Sequence, residues 1–156
     1  MRLAVPLALA FAAGLAASPL LQRALPDAHA QAAPSTSMLT PMAIDIGALK
    51  DADLPATPNP EMRSKGLVAT DQGTIGVQSG NVAKHIHAGS DEIQYIVEGS
   101  GTGWLGERRI ELRPGMLLII PKGTPHGGTE GTGGARIKAL AIKLPPQAPT
   151  DTKFVD

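Results

Sequence analysis

Residues 80–99 read Gly80-Asn-Val-Ala-Lys-His85-Ile-His87-Ala-Gly-Ser-Asp-Glu92-Ile-Gln94-Tyr-Ile-Val-Glu-Gly99. Past residue 30 the chain has three histidines, and two of them stand two apart in this stretch; the third, His126, lies in Gly115-Met-Leu-Leu-Ile-Ile-Pro-Lys-Gly-Thr-Pro-His126-Gly-Gly. On a strand, side chains alternate with period two, so His85 and His87 share one face. Imidazole together with carboxylate suits a divalent transition ion such as zinc, manganese, iron, nickel or copper. Glu92 lies an odd number of residues from His87, so one regular strand would not turn both inward. Ala88-Gly89-Ser90 is a turn signal that resets the register. After that turn Glu92, Gln94, Ile96 and Glu98 share a face. His126 has to arrive from a separate strand, because one segment cannot surround an ion.

The surrounding sequence reads as an all-β fold. Short runs such as Gly66–Thr70, Thr74–Gln78, Asn81–His87, Glu92–Glu98, Thr102–Leu105 and Arg109–Leu112 are separated by turn residues. Met116–Ile120 is apolar on both faces, as expected of a strand inside a sandwich. Gly127–Gly134, with five glycines among eight residues, reads as a flexible loop. Ala135–Leu144 reads as a strand with Ile137, Ala139, Ala141 and Leu144 inward, against Lys138 and Lys143. Pro145-Pro146 marks the end of the fold. Neither a helical period nor an internal repeat follows the first 30 residues, and the pattern of many short strands argues for one barrel or sandwich.

Two groups of residues together resemble the motifs of the cupin superfamily. Gly80, His85, His87, Glu92 and Gly99 are similar to its first motif, with a gap after Gly80 one residue shorter than usual. Gly115, Pro121, Gly123 and His126 are similar to its second, except that Glu130 stands where that motif ends in Asn. The resemblance covers residues 64 to 146. It implies a jelly-roll β-barrel with one metal held by His85, His87, Glu92 and His126. Zinc or manganese is expected ahead of iron, nickel or copper. Gln94, two beyond Glu92, is expected to hydrogen-bond a ligand or a metal-bound water. Trp104 reads as core packing or cavity wall, and Glu130 as a hydrated or lid carboxylate.

Residues 1–30 read as a secretory signal: Arg2, an apolar run from Leu3 to Leu21, the breaker Pro26 and the Ala28-His29-Ala30 cleavage site. Pro6, Gly14 and Pro19 argue against a lasting membrane span. Cleavage after Ala30 predicts a periplasmic or secreted protein starting at Gln31. The absence of a twin arginine predicts export as an unfolded chain. With no cysteine, lipoprotein and disulfide classes are excluded. The exported 126 residues (156 minus 30) are one domain's worth. Dropping Arg2, Arg23 and Asp27 from 14 basic and 14 acidic residues leaves 12 and 13, a balance with no footprint for nucleic acid or anionic membrane.

The expected organisation is a signal peptide (1–30), a Pro-rich arm (31–63), the β-domain (64–146) and a tail (147–156). The arm carries an apolar rhythm at Met42, Ile44 and Ile46, which reads either as an edge strand, for its own barrel or a partner's, or as a tether. A homodimer is expected because one such unit exposes sheet edges. The function classes that follow are a metal-dependent enzyme of the dioxygenase, oxalate-degrading or isomerase kind, acting on a small polar organic molecule; a non-catalytic small-molecule binder; and a protein with a purely structural metal.

Overall fold

The structure is a computed structural model and describes residues 39–156. The expected signal peptide, its expected cleavage site and the start of the arm lie outside the described residues.

The described residues form ten strands in two antiparallel sheets: β1 (Met62–Ala69), β2 (Thr74–Gly80), β3 (His85–His87), β4 (Asp91–Glu98), β5 (Gly101–Leu105), β6 (Arg108–Leu112), β7 (Leu117–Ile120), β8 (His126–Gly131), β9 (Lys138–Leu144) and β10 (Thr152–Phe154). The strand order is β1-β2-β9-β4-β7 in the first sheet and β10-β3-β8-β5-β6 in the second. The fold is the expected all-β jelly roll. Its only helical pieces among the described residues are two three-residue 3-10 turns. None of the described helices is long and apolar enough to cross a membrane.

The core sits between the sheets. Ile96 from β4, Leu118 and Ile120 from β7, Ile137 and Ala139 around β9, and Leu112 from β6 form one buried cluster. Leu105, Ile110 and Met116 pack against it. The outward positions of β7 are apolar too: Leu117 is 59% exposed and Ile119 57%.

Three expectations are corrected. The segment from Gly127 is not a free loop: residues to Gly131 belong to β8 and pair with β5. Its glycines are there for closeness. Gly127 has φ +91, and a Cβ on it would lie 2.8 Å from the Ala83 carbonyl and 3.1 Å from His85 Nδ1. The inward set of β9 also differs. Period two from Ile137, Ala139 and Ala141 leads to Lys143, not Leu144; Leu144 is 41% exposed, and the Lys143 side chain is only 12% exposed. Lys138 is buried as well, donating to Glu98 Oε2 (2.5 Å) and the Leu49 carbonyl (2.6 Å). Finally, the stretch read as a tail carries β10, which pairs with β3.

The second half of the arm docks on its own barrel. Leu54 is buried and its carbonyl accepts from Arg63. Asp51 accepts from Ser79 Oγ (2.6 Å) and pairs with Arg136 (2.8 Å). Residues 39–50 form no strand, and Leu39, Met42 and Ile44 are exposed.

Candidate metal centre

The site is built from one cross-strand pair on each sheet, with His87 added. On the second sheet His85 of β3 and His126 of β8 are direct partners. On the first sheet Glu92 of β4 and Lys143 of β9 are direct partners. Side chains opposite each other in an antiparallel pair project to the same face. The two pairs therefore meet across the sandwich. The odd spacing between His87 and Glu92 has a simple origin: the chain leaves one sheet at the Ala88–Ser90 turn and enters the other. The turn after β7 is fastened to the same place, with Gly123 N–H donating to the His87 carbonyl at 2.7 Å and Lys122 N–H to Asp91 at 2.8 Å.

His85, His87, Glu92 and His126 are all buried, and one ligand atom from each lies within 4.8 Å of the others. The four residues named from the sequence thus come together. Their hydrogen bonds fix how each ring is used. His85 Nδ1 lies 2.8 Å from the Ala83 carbonyl and His126 Nδ1 2.9 Å from the Thr124 carbonyl. A carbonyl only accepts, so both Nδ1 atoms carry a proton, which leaves Nε2 as the nitrogen available to ligate. His87 follows the same rule. Its Nε2 accepts from Lys143 Nζ at 2.5 Å, while its Nδ1 faces Thr152 Oγ1 at 3.4 Å and Asp151 Oδ2 at 3.7 Å. Glu92 Oε2 lies 3.0 Å from both His87 Nε2 and His126 Nε2.

A divalent ion at the centre would bond to the imidazole lone pairs and the carboxylate together, which is the donor set nitrogen- and oxygen-loving metals take. The residues therefore fit a metal ion.

Electrostatics agree with a neutral His85. His85 is lowered to about 4, chiefly by burial and then by the neighbouring His126. Burial alone would raise Glu92; contacts from His126 and His87 and the Lys143 charge outweigh it and hold the carboxyl well below the usual range. Burial pulls Lys143 below its ordinary value, against the opposing charge of Glu92.

Gln94 is where the alternation put it, its amide donating to Glu92 Oε1 at 2.8 Å. Trp104 takes no part; its ring lies near Lys84 (4.8 Å) and Arg109 (5.9 Å). Glu130 pairs with Arg109 at 2.6 Å, away from the site. Two groups that touch the site were not singled out from the sequence. Lys143 was legible by parity. Asp151, whose Oδ1 accepts from Gly89 N–H at 2.5 Å, follows Pro145, Pro146 and Pro149 and had no signal. A cavity of about 460 Å³ opens beside the ligands. Amides line it at Asn59, Gln78, Gln94 and Gln147, and apolar groups include Met62 and Phe154.

Residues 73–143 match the family model described as "Cupin domain". Over 72 residues the chain is 36% identical to the uncharacterized protein MJ1618 of Methanocaldococcus jannaschii, covering 46% of this chain and 57% of that one. The chain thus spans little more than half the length of that relative. Among solved structures it is similar to the polyketide cyclase RemF from Streptomyces resistomycificus (TM-score 0.56, 24% identity, 69% of this chain and 84% of that chain). It is also similar to a protein with a double-stranded β-helix domain from Klebsiella pneumoniae subsp. pneumoniae (TM-score 0.56, 15% identity, 69% and 96%). At these identities the likeness is one of fold.

Proposed function

We propose that this chain, which belongs to the cupin superfamily, holds one divalent transition metal on His85, His87, Glu92 and His126 and acts as a metal-dependent enzyme on a small polar organic molecule. The observation that carries the reading is the convergence of three imidazoles and the Glu92 carboxylate, with the outer nitrogens of His85 and His126 tied to carbonyls. A bound metal would supply Lewis-acid polarisation of a substrate oxygen. This chain's own residues hold His85 neutral, keep the rings in one orientation and offer amides in the cavity for hydrogen bonding. Zinc or manganese is the expected ion. A second reading is a non-catalytic binder, favoured by a cavity whose lining beyond the ligands is almost free of titratable groups.

Elemental analysis of protein purified from its native compartment tests the metal. Near-stoichiometric metal in wild type, lost in His87→Ala and His126→Ala, supports the reading; metal-free wild type that takes up none on dialysis sinks it. Substrate loss and O₂ uptake by metal-loaded protein separate enzyme from binder.

The apolar run and Ala28-His29-Ala30 support export, with the mature chain starting at Gln31. Retention of a full-length species in the membrane would refute that. The exposed Leu39, Met42 and Ile44 support a homodimer in which the first part of the arm reaches a second copy. Light scattering that finds the same monomer with and without residues 31–48 would remove the arm's role.

A further inference from the structure

Lys143 is the one buried cation at the centre that metal ligation does not use. Its ammonium lies 2.6 Å from Glu92 Oε2 and 2.5 Å from His87 Nε2, and both atoms belong to the ligand set. An imidazole nitrogen has a single lone pair. His87 Nε2 therefore serves the ammonium or a metal ion, never both. On Glu92 the two cations would share an oxygen and repel.

We propose that Lys143 is a built-in counter-cation of the ligand set, that a metal ion displaces it, and that the displaced ammonium recognises the carboxylate of a small ligand in the adjoining cavity. This rests on the metal reading above and adds a substrate class to it.

Several observations support the idea. The register places Lys143 directly opposite Glu92, so the contact is made by the nearest residue of the next strand. Its flexible four-carbon stem lets the ammonium swing without backbone movement. Lys143 also lines the cavity, where the other polar groups outside the ligand set are neutral, such as Asn59, Gln78, Gln94 and Gln147. Finally, the charges count out. Glu92 and Asp151 against Lys143 leave one negative charge in excess; a dication turns this into one positive charge in excess, which a monoanion neutralises. The apolar wall at Met62, Val82, Pro149 and Phe154 suits the body of such an acid.

Zinc is titrated into metal-free wild type, Lys143→Met and Lys143→Arg in competition with a chromophoric chelator. Methionine keeps the stem and removes the charge, so it should bind zinc about tenfold more tightly, whereas arginine should stay near wild type. Metal-free Lys143→Met should also melt below metal-free wild type, since Glu92 loses its partner. Circular dichroism checks the fold, and Lys143→Gln replaces methionine if that variant is unfolded. Benzoate and benzamide, alike in shape but not in charge, are then titrated into the zinc-loaded proteins. Wild type should prefer benzoate, and loss of the charge should narrow that preference by about fivefold or more.

Zinc binding to wild type, with the uncharged variant equal or weaker, overturns displacement while the metal reading stands. An unchanged benzoate preference overturns carboxylate recognition; it would mean that the ammonium moves to Asp151 Oδ2, which is buried without a hydrogen-bond partner. No zinc on any variant overturns both readings together.

Discussion

The space between the two sheets is filled in two different ways. At one end lie Ile96, Leu112, Leu118, Ile120, Ile137 and Ala139; at the other lie three imidazoles, a carboxylate and an ammonium. The same strands supply both. On β4 the inward face runs from Glu92 through Gln94 to Ile96, a distance of about 13 Å at the strand rise per residue. On β9 it runs from Lys143 through Ala141 to Ala139. The apolar end is stabilised by burial alone and is complete without a ligand. The polar end is buried just as deeply, with Glu92 1% exposed, but removing a charge from water costs several kcal/mol unless a partner offsets it. The two ends should therefore respond to different perturbations.

The largest effect should come from the apolar end. Ile96→Ala should destabilise the fold by about 3–4 kcal/mol through lost contacts and a cavity. Chemical denaturation should show the same loss with and without metal. A loss that depends on metal would mean that the two ends are not energetically separate.

Acid should act on the polar end. Between about 4 and 6.5 the unfolded chain protonates His85 and the folded chain does not. The unfolded state binds the extra proton, so stability falls as pH drops through that window, by at most about 3 kcal/mol. Glu92, held low in the folded state, continues the decline as pH falls through the ordinary carboxylate range. Thermal melts of metal-free protein check this, and His85→Gln should flatten the upper part of the slope. Metal affinity should fall over the same interval, because ligation needs neutral rings.

Chelation comes next. At a hundredfold excess of metal over Kd, binding adds about 2.7 kcal/mol to the folded state. Calorimetry should show that gain removed by chelator in wild type and absent in His126→Ala. The mildest change, Gln94→Ala, removes one hydrogen bond to Glu92 Oε1 and should weaken metal binding about tenfold. It should leave the melting of metal-free protein within about 1 kcal/mol. A shift as large as that of Ile96→Ala would make Gln94 part of the core.

What was legible in the sequence follows the same division. The apolar alternation gave the sheets and most of the core. His-x-His, Glu92 and His126 gave the ligand set, because imidazoles and carboxylates at such spacing have few other uses. Lys143 was misplaced because lysine is normally solvated; its parity with Ala139 and Ala141 held the correct answer. The stretch after His126 was misread because glycine usually signals slack, whereas Gly127 is small so that β8 can press against His85. Asp151 and β10 could not be found by pattern. Their strand is three residues long, follows a run of prolines and is defined by its pairing partner rather than by its own periodicity.

That partner gives the fold an order in time. β3, which carries two of the ligands, is held on one side by β10 and on the other by the single pairing of His85 with His126. β10 comes after every other described strand in the chain. A ribosome therefore releases His85 and His87 long before the strand that seats them exists. Pairing so distant in sequence forms late, because the intervening loop must close first. A nascent chain interrupted before residue 152 carries its histidines without the strand that holds them in place.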